Sequence, residues 1–154
     1  KTIMESNKEI ISDLNSLVTI LNDGKQGYES AAETTDSLEL KAVFGKYALE
    51  RAAYAAELKA HIKQHGGNED DNDNGGVLGA IHRGWLDVKQ AVTGNDNAAL
   101  LEAIETGEKA AIEKYDGYIA DYTDHADHLA LLQKQRDGIQ SDLQQLKALK
   151  AQNA

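Results

Sequence analysis

A chain of 154 residues fits one domain, residues 1–154, large enough to bury a core without covalent or metal staples. It has no cysteine, which excludes disulfides, thiolate metal sites and a cysteine nucleophile, and no proline, which lets helices run unbroken. A formal net charge of −10 disfavours binding to nucleic acid or to anionic membrane surfaces, and no apolar run approaches the ~20 residues of a membrane-spanning helix. The first residues lead into an amphipathic stretch, not an apolar signal-peptide core. A cytoplasmic location is the expectation, with a leader left open because the chain starts at Lys1.

The spacing predicts a first helix over about residues 6–32, with Ile10, Leu14, Leu17, Leu21, Tyr28 and Ala31 on one seam and Ser6 or Asn7 as its cap. Asp23-Gly24 interrupts the pattern, but the seam resumes in phase at Tyr28. One continuous helix is therefore expected, with Gly24 and Gly27 allowing close packing. After the polar turn Thr34-Thr35-Asp36-Ser37, a second helix is expected over about 37–64. Its seam is Leu40, Phe44, Tyr47, Arg51, Tyr54, Leu58 and Ile62, and His65-Gly66-Gly67 is its stop. Residues 68–76 read as an acidic, Gly/Asn-rich crossover loop. A third helix is expected from about 76, carrying Leu78, Ile81, Trp85, Val88 and Val92. It is broken at Thr93-Gly94-Asn95-Asp96 by a kink or a short turn. It then resumes with Leu101, Ile104, Glu108, Ala111, Tyr115, Ile119 and Tyr122. The fourth, over about 124–151, carries Leu129, Leu132, Gln135, Ile139, Leu143, Leu146 and Lys150. No segment alternates with period two. The fold class is all-α: an antiparallel four-helix bundle of two hairpins joined by a crossover.

Arg51 and Glu108 stand on seams that otherwise bury Leu, Ile, Tyr and Ala. A lone buried charge is expensive, so each should find an opposite partner: the other, or for Arg51 a first-helix carboxylate such as Glu29. The competing reading is a di-metal carboxylate site, with Glu29, Glu50, Glu108 and His82 as candidate ligands. Such centres draw carboxylates from four helices and two Glu-x-x-His pairs, whose three-residue spacing puts both ligands on one face. No Glu-x-x-His occurs in the chain. Ala53 follows Glu50 at that spacing, and Gly138 and Ser141 flank Ile139. No cofactor is expected on this account, with iron or another divalent metal as the alternative.

Weaker constellations are each outweighed by a bland reading. Asp70-x-Asn72-x-Asn74-Gly75 matches half of a calcium-binding loop but puts Ile81 where a bidentate Glu is required. Asp121, Asp124, His125, Asp127 and His128 could hold zinc or nickel adventitiously, yet a solvated acidic helix start explains them. His82 flanks Trp85 and can donate to a carboxylate or a carbonyl. The tyrosines, including Tyr115, Tyr118 and Tyr122, read as core-edge residues.

Leu21-Asn22-Asp23-Gly24-x-x-Gly27-Tyr28-x-x-Ala31-Ala32-Glu33 resembles the first helix of a bacterial ferritin-like family of unknown function. Arg51 with Glu57-Leu58, Gly79-x-x-His82-Arg83-x-Trp85, and Gly107-Glu108 followed by Tyr115 resemble its later motifs. His82-Arg83-x-Trp85 is the most specific of these. The Gly107-Glu108 to Tyr115 spacing is also similar to rubrerythrin and ferritin third helices. The resemblance spans about residues 10–149 and implies a ferritin-like bundle. Ser141-Asp142 departs from the His-Asp usual there. The expected function is a non-enzymatic, stress-associated bundle that acts through self-association or a protein partner, or fills its own core with an ion pair. The alternative is a di-metal carboxylate protein handling iron, oxygen or peroxide.

Overall fold

The computed structural model describes residues 7–67, Trp85 and residues 96–153. Among these residues there are four long helices and no strand: α1 (Asn7–Thr34), α2 (Leu38–Gln64), α3 (Asn97–Asp121) and α4 (Ala126–Gln152). No helix among them is long and apolar enough to cross a membrane. The expected crossover at 68–76 and the calcium-loop half-match lie outside the described residues.

Helix α1 runs unbroken through Gly24 and Gly27, both buried on its core face with Leu14, Leu17, Leu21 and Tyr28. The reason is the Trp85 indole. A Cβ added at Gly27 would stand 2.5 Å from Trp85 Cε3, and one at Gly24 would stand 3.3 Å from Cζ2. Gly107 on α3 faces the same ring, its would-be Cβ 2.9 Å from Cε2. Three glycines on two helices thus form one slot for the chain's single tryptophan, and the ring fills the space that three side chains would have taken.

Ser37 caps α2, its hydroxyl accepting from the Leu40 N–H at 3.1 Å. At the other end Gly66 takes a left-handed conformation, φ +84°, and the Gly67 N–H donates to the Ile62 carbonyl at 3.0 Å. The seam of α2 is buried as expected, except that Tyr54 keeps partial exposure.

The break before α3 is a helix start, not a kink. Asp96 has extended backbone, φ −116° and ψ 106°, and its side chain accepts from the N–H groups of Ala98 and Ala99. Helix α3 therefore begins after Trp85, which decides the expected kink-or-turn alternative against the kink. In α4 the buried residues at the two ends are His128 and Leu149, where the sequence pointed to Leu129 and Lys150. Hydropathy favoured leucine over histidine at the first of these positions. At the second, the seam advances by three from Leu146, not by four.

Side-chain ties give the helix directions. Asn7 at the start of α1 donates to the His65 carbonyl at the end of α2, so α1 and α2 are antiparallel. Thr35, just past α1, donates to Asn97 at the start of α3, while Tyr122 after α3 donates to Asp13 near the start of α1. Hence α1 and α3 are also antiparallel, and α2 and α3 run the same way. Helix α4 opposes both, pairing Asp142 with Arg51 and His128 with His61. Helix α1 packs chiefly on α2, α3 on α4, and α1 on α3. Helices α2 and α3 therefore face each other across the diagonal.

Candidate functional site

Arg51 crosses that diagonal. It is 2% exposed and Glu108 is 0% exposed, yet both carry charge on seams of apolar neighbours. The guanidinium Nη2 donates to Glu108 Oε2. Nη1 donates to Asp142 Oδ2 at 3.1 Å and lies 3.5 Å from Glu50 Oε1. Three carboxylates from three helices thus converge on one cation. Aromatic rings complete the enclosure. Arg51 Cζ sits 5.5 Å from the Tyr28 ring centroid and 6.0 Å from that of Tyr54. Tyr28 in turn meets Tyr47 and Trp85 edge-on, each at 5.6 Å between centroids.

Burial works against the charge on Arg51, but Glu108, Tyr28 and Asp142 together outweigh that and hold its pKa above the ordinary value. Burial raises Glu108 above the ordinary carboxylate value, and Arg51 pulls it only part of the way back. A guanidinium does not shed its proton in a protein, so Glu108 faces a fixed positive charge. The Tyr28 hydroxyl and Glu108 Oε1 are both buried and, among the described residues, make no hydrogen bond of ordinary geometry. Burial first, and then Glu108, raise Tyr28 well above the ordinary tyrosine range. It stays a neutral phenol.

Of the candidate ligands, Glu50 and Glu108 reach the centre and Glu29 does not. Glu29 is exposed and paired with Lys25 at 3.4 Å, because it follows Tyr28 by one residue and so points about 100° away from the core. His82 and Arg83 lie outside the described residues. Tyr115 is buried but belongs to another network. Its hydroxyl donates to Gln135 Oε1 at 2.7 Å, and Gln135 Nε2 donates to the Tyr54 carbonyl at 3.1 Å. Asp142 is the partner that sequence reasoning missed. It was hidden beside Leu143, although it falls three after Ile139 and four before Leu146, on the same seam.

The residues do not fit a di-metal carboxylate centre. There is no Glu-x-x-His, and a guanidinium occupies the point where Glu50, Glu108 and Asp142 converge. Residues 9–121, which contain Glu50, Arg51 and Glu108, match a domain of unknown function, DUF2383. The chain belongs to the DUF2383 family. No curated protein and no solved structure matches it. The matched stretch of this DUF2383 protein ends with the last residue of α3, so Asp142 reaches the site from beyond it.

The charge at the centre of the DUF2383 bundle includes one proton that depends on pH. Asp142 is raised from 3.8 to about 8, first by burial and then by Glu50 beside it, against the pull of Arg51. The folded state therefore favours its protonated form. Its contribution to stability is full below about pH 4 and is lost as pH rises through about 8. The groups facing it are Glu50, Arg51, Tyr47 and Tyr54 on α2 and Tyr28 on α1, with Glu108 on α3 sharing the Arg51 guanidinium. Asp142→Asn keeps the neutral form at every pH. The melting temperature of D142N relative to the parent should climb between about pH 4 and about pH 8. Taking the difference cancels the histidine titrations common to both proteins. A difference that stays level over that interval rules out the proton.

A second cluster lies at one end of the bundle, where the sequence suggested a solvated helix start. Asp121 and Asp124 are exposed, in keeping with that reading, but His128 is buried. His61 and His65 from the end of α2 meet it there. They are four residues apart on α2 and so share a face, which is the signal a reader of the sequence could have used.

Proposed function

We propose that this DUF2383 protein is a non-enzymatic, ferritin-like bundle whose central carboxylate site is closed by its own arginine. The observation that carries this is the Arg51 guanidinium held between Glu108 and Asp142. The helix directions support the ferritin-like part. With α2 and α3 parallel, the chain leaves α2 at one end of the bundle and enters α3 at the other, the single long crossover of that architecture. The Gly107-Glu108 to Tyr115 resemblance points the same way. Arg51 supplies the positive charge that a metal pair would supply, and it uses the carboxylates that would bind one. A di-metal protein remains the second reading, because Glu50, Glu108 and Asp142 do converge.

Elemental analysis distinguishes the two. Protein purified aerobically, with no added metal or chelator, should carry iron far below one atom per chain. Glu108→Gln should leave that content unchanged. Two iron atoms per chain that disappear in E108Q would overturn the proposal and establish the di-metal reading.

A further inference from the structure

We propose that His61, His65, Asp127 and His128 form a binding site for a borderline-soft divalent transition cation, zinc first, which clips the end of α2 to the first turn of α4. The four ligand atoms all lie within 4.8 Å of one another. His61 Nε2 and His128 Nδ1 are 2.6 Å apart, and His65 Nε2 is 2.9 Å from Asp127 Oδ2. The three imidazole rings face one another with centroids 4.5 to 4.8 Å apart. Zinc bonds of 2.0–2.1 Å at tetrahedral angles set ligand atoms about 3.4 Å apart, between the closest and widest spacings here. Shifts of about an ångström, within reach of side-chain rotation, would close four ligands around one ion.

The donor set selects the cation. Three imidazoles and one carboxylate suit zinc and its neighbours and disfavour calcium or magnesium, which need more oxygen ligands. Two imidazole nitrogens at 2.6 Å cannot both present lone pairs, so one now carries the shared proton. A divalent cation takes that proton's place, and the proton passes to the other nitrogen of its own ring, so the neutral imidazole changes tautomer and ligates with no net loss of a proton. Burial lowers His61 and His128, the direction that keeps imidazole in its ligating form. His128 is buried, His61 and His65 are half-buried and Asp127 is exposed, so the site has a closed floor and an open mouth. His125, its ring 5.5 Å from His128, stands beside the set as a neighbour and not as a ligand.

The test uses the full chain without a histidine tag. Zinc chloride titrated by calorimetry should bind at one equivalent per chain, raise the melting temperature, and be reversed by a chelator. Cobalt(II) in place of zinc should give the intense visible bands of a tetrahedral ion. His61→Ala with His65→Ala changes only half-buried side chains, and should abolish both the thermal shift and the bands. Asp127→Ala, at an exposed position, should weaken binding at least about tenfold while the apo protein melts unchanged. E108Q should bind zinc as the parent does, which separates this site from the central one. Failure to take up zinc at one equivalent, or uptake that H61A/H65A leaves intact, overturns the proposal.

Discussion

Arg51→Ala should destabilise the bundle by about 3–5 kcal/mol in urea denaturation at neutral pH, the size expected when a buried ion pair loses one member. The loss is not that of a single contact. Removing the guanidinium leaves Glu108 fully buried with no counter-charge and takes the nearest cation from Asp142. It also opens a cavity beneath the Tyr28 ring. Arg51→Met with Glu108→Gln should recover part of the loss, because the methionine refills the volume and no ion is left unpaired. Asp142 can then keep its proton against Glu50. If R51A unfolds at the parent's urea midpoint, the pair contributes nothing and the account of the centre fails.

The tryptophan slot sets up the second large effect, one that reverses sign between two glycines. Gly27→Ala adds a methyl that must come within 2.5 Å of Trp85 ring carbon, against a rigid ring and not a flexible chain end. Overpacking of this kind costs about 1–3 kcal/mol, more than the ~1 kcal/mol that alanine gains over glycine in a helix. Gly117→Ala meets nothing within 4 Å on the outer face of α3, so the helix gain stands alone and the variant should be stabilised by about 0.5–1 kcal/mol. Trp85→Leu in the G27A background should recover stability, since a smaller side chain leaves room for the methyl. Calorimetric melting of the four proteins decides the matter. G27A melting level with or above the parent would show that the indole is free to move aside.

Much of this architecture was legible in the residues. The threes-and-fours spacing located α1, α2 and the seam of α3, because each period carries several large apolar side chains. Gly24 and Gly27 could be placed inside a helix since Tyr28 resumes in phase beyond them. Two kinds of feature resisted. Where a polar residue is the buried one, hydropathy points to its neighbour: His128 was passed over for Leu129, and Asp142 for Leu143. Where partners lie far apart in the chain, nothing local announces them. His61 and His128 are separated by 67 residues, and Arg51 and Asp142 by 91. The same distance kept Gly107 from being read with Gly24 and Gly27 as one wall, since only the fold brings α3 against the indole.

The ties between α2 and α4 have a consequence for how the helices are set against each other along their length. From one end of the seam to the other they are polar: Tyr47 to Gln145, Arg51 to Asp142, the Tyr54 carbonyl to Gln135, Glu57 to Lys134, and His61 to His128. Apolar seams are forgiving of sliding. A helix displaced by one turn, about 5.4 Å, again meets leucines and isoleucines and buries nearly as much surface. Hydrogen bonds are not forgiving, because a side chain moved that far loses its partner outright. Sliding α4 along α2 by one turn would break every tie in the row at once, taking Asp142 from Arg51 and Gln135 from the Tyr54 carbonyl. The leucines make the two hairpins adhere, and the polar row admits a single height at which they do so.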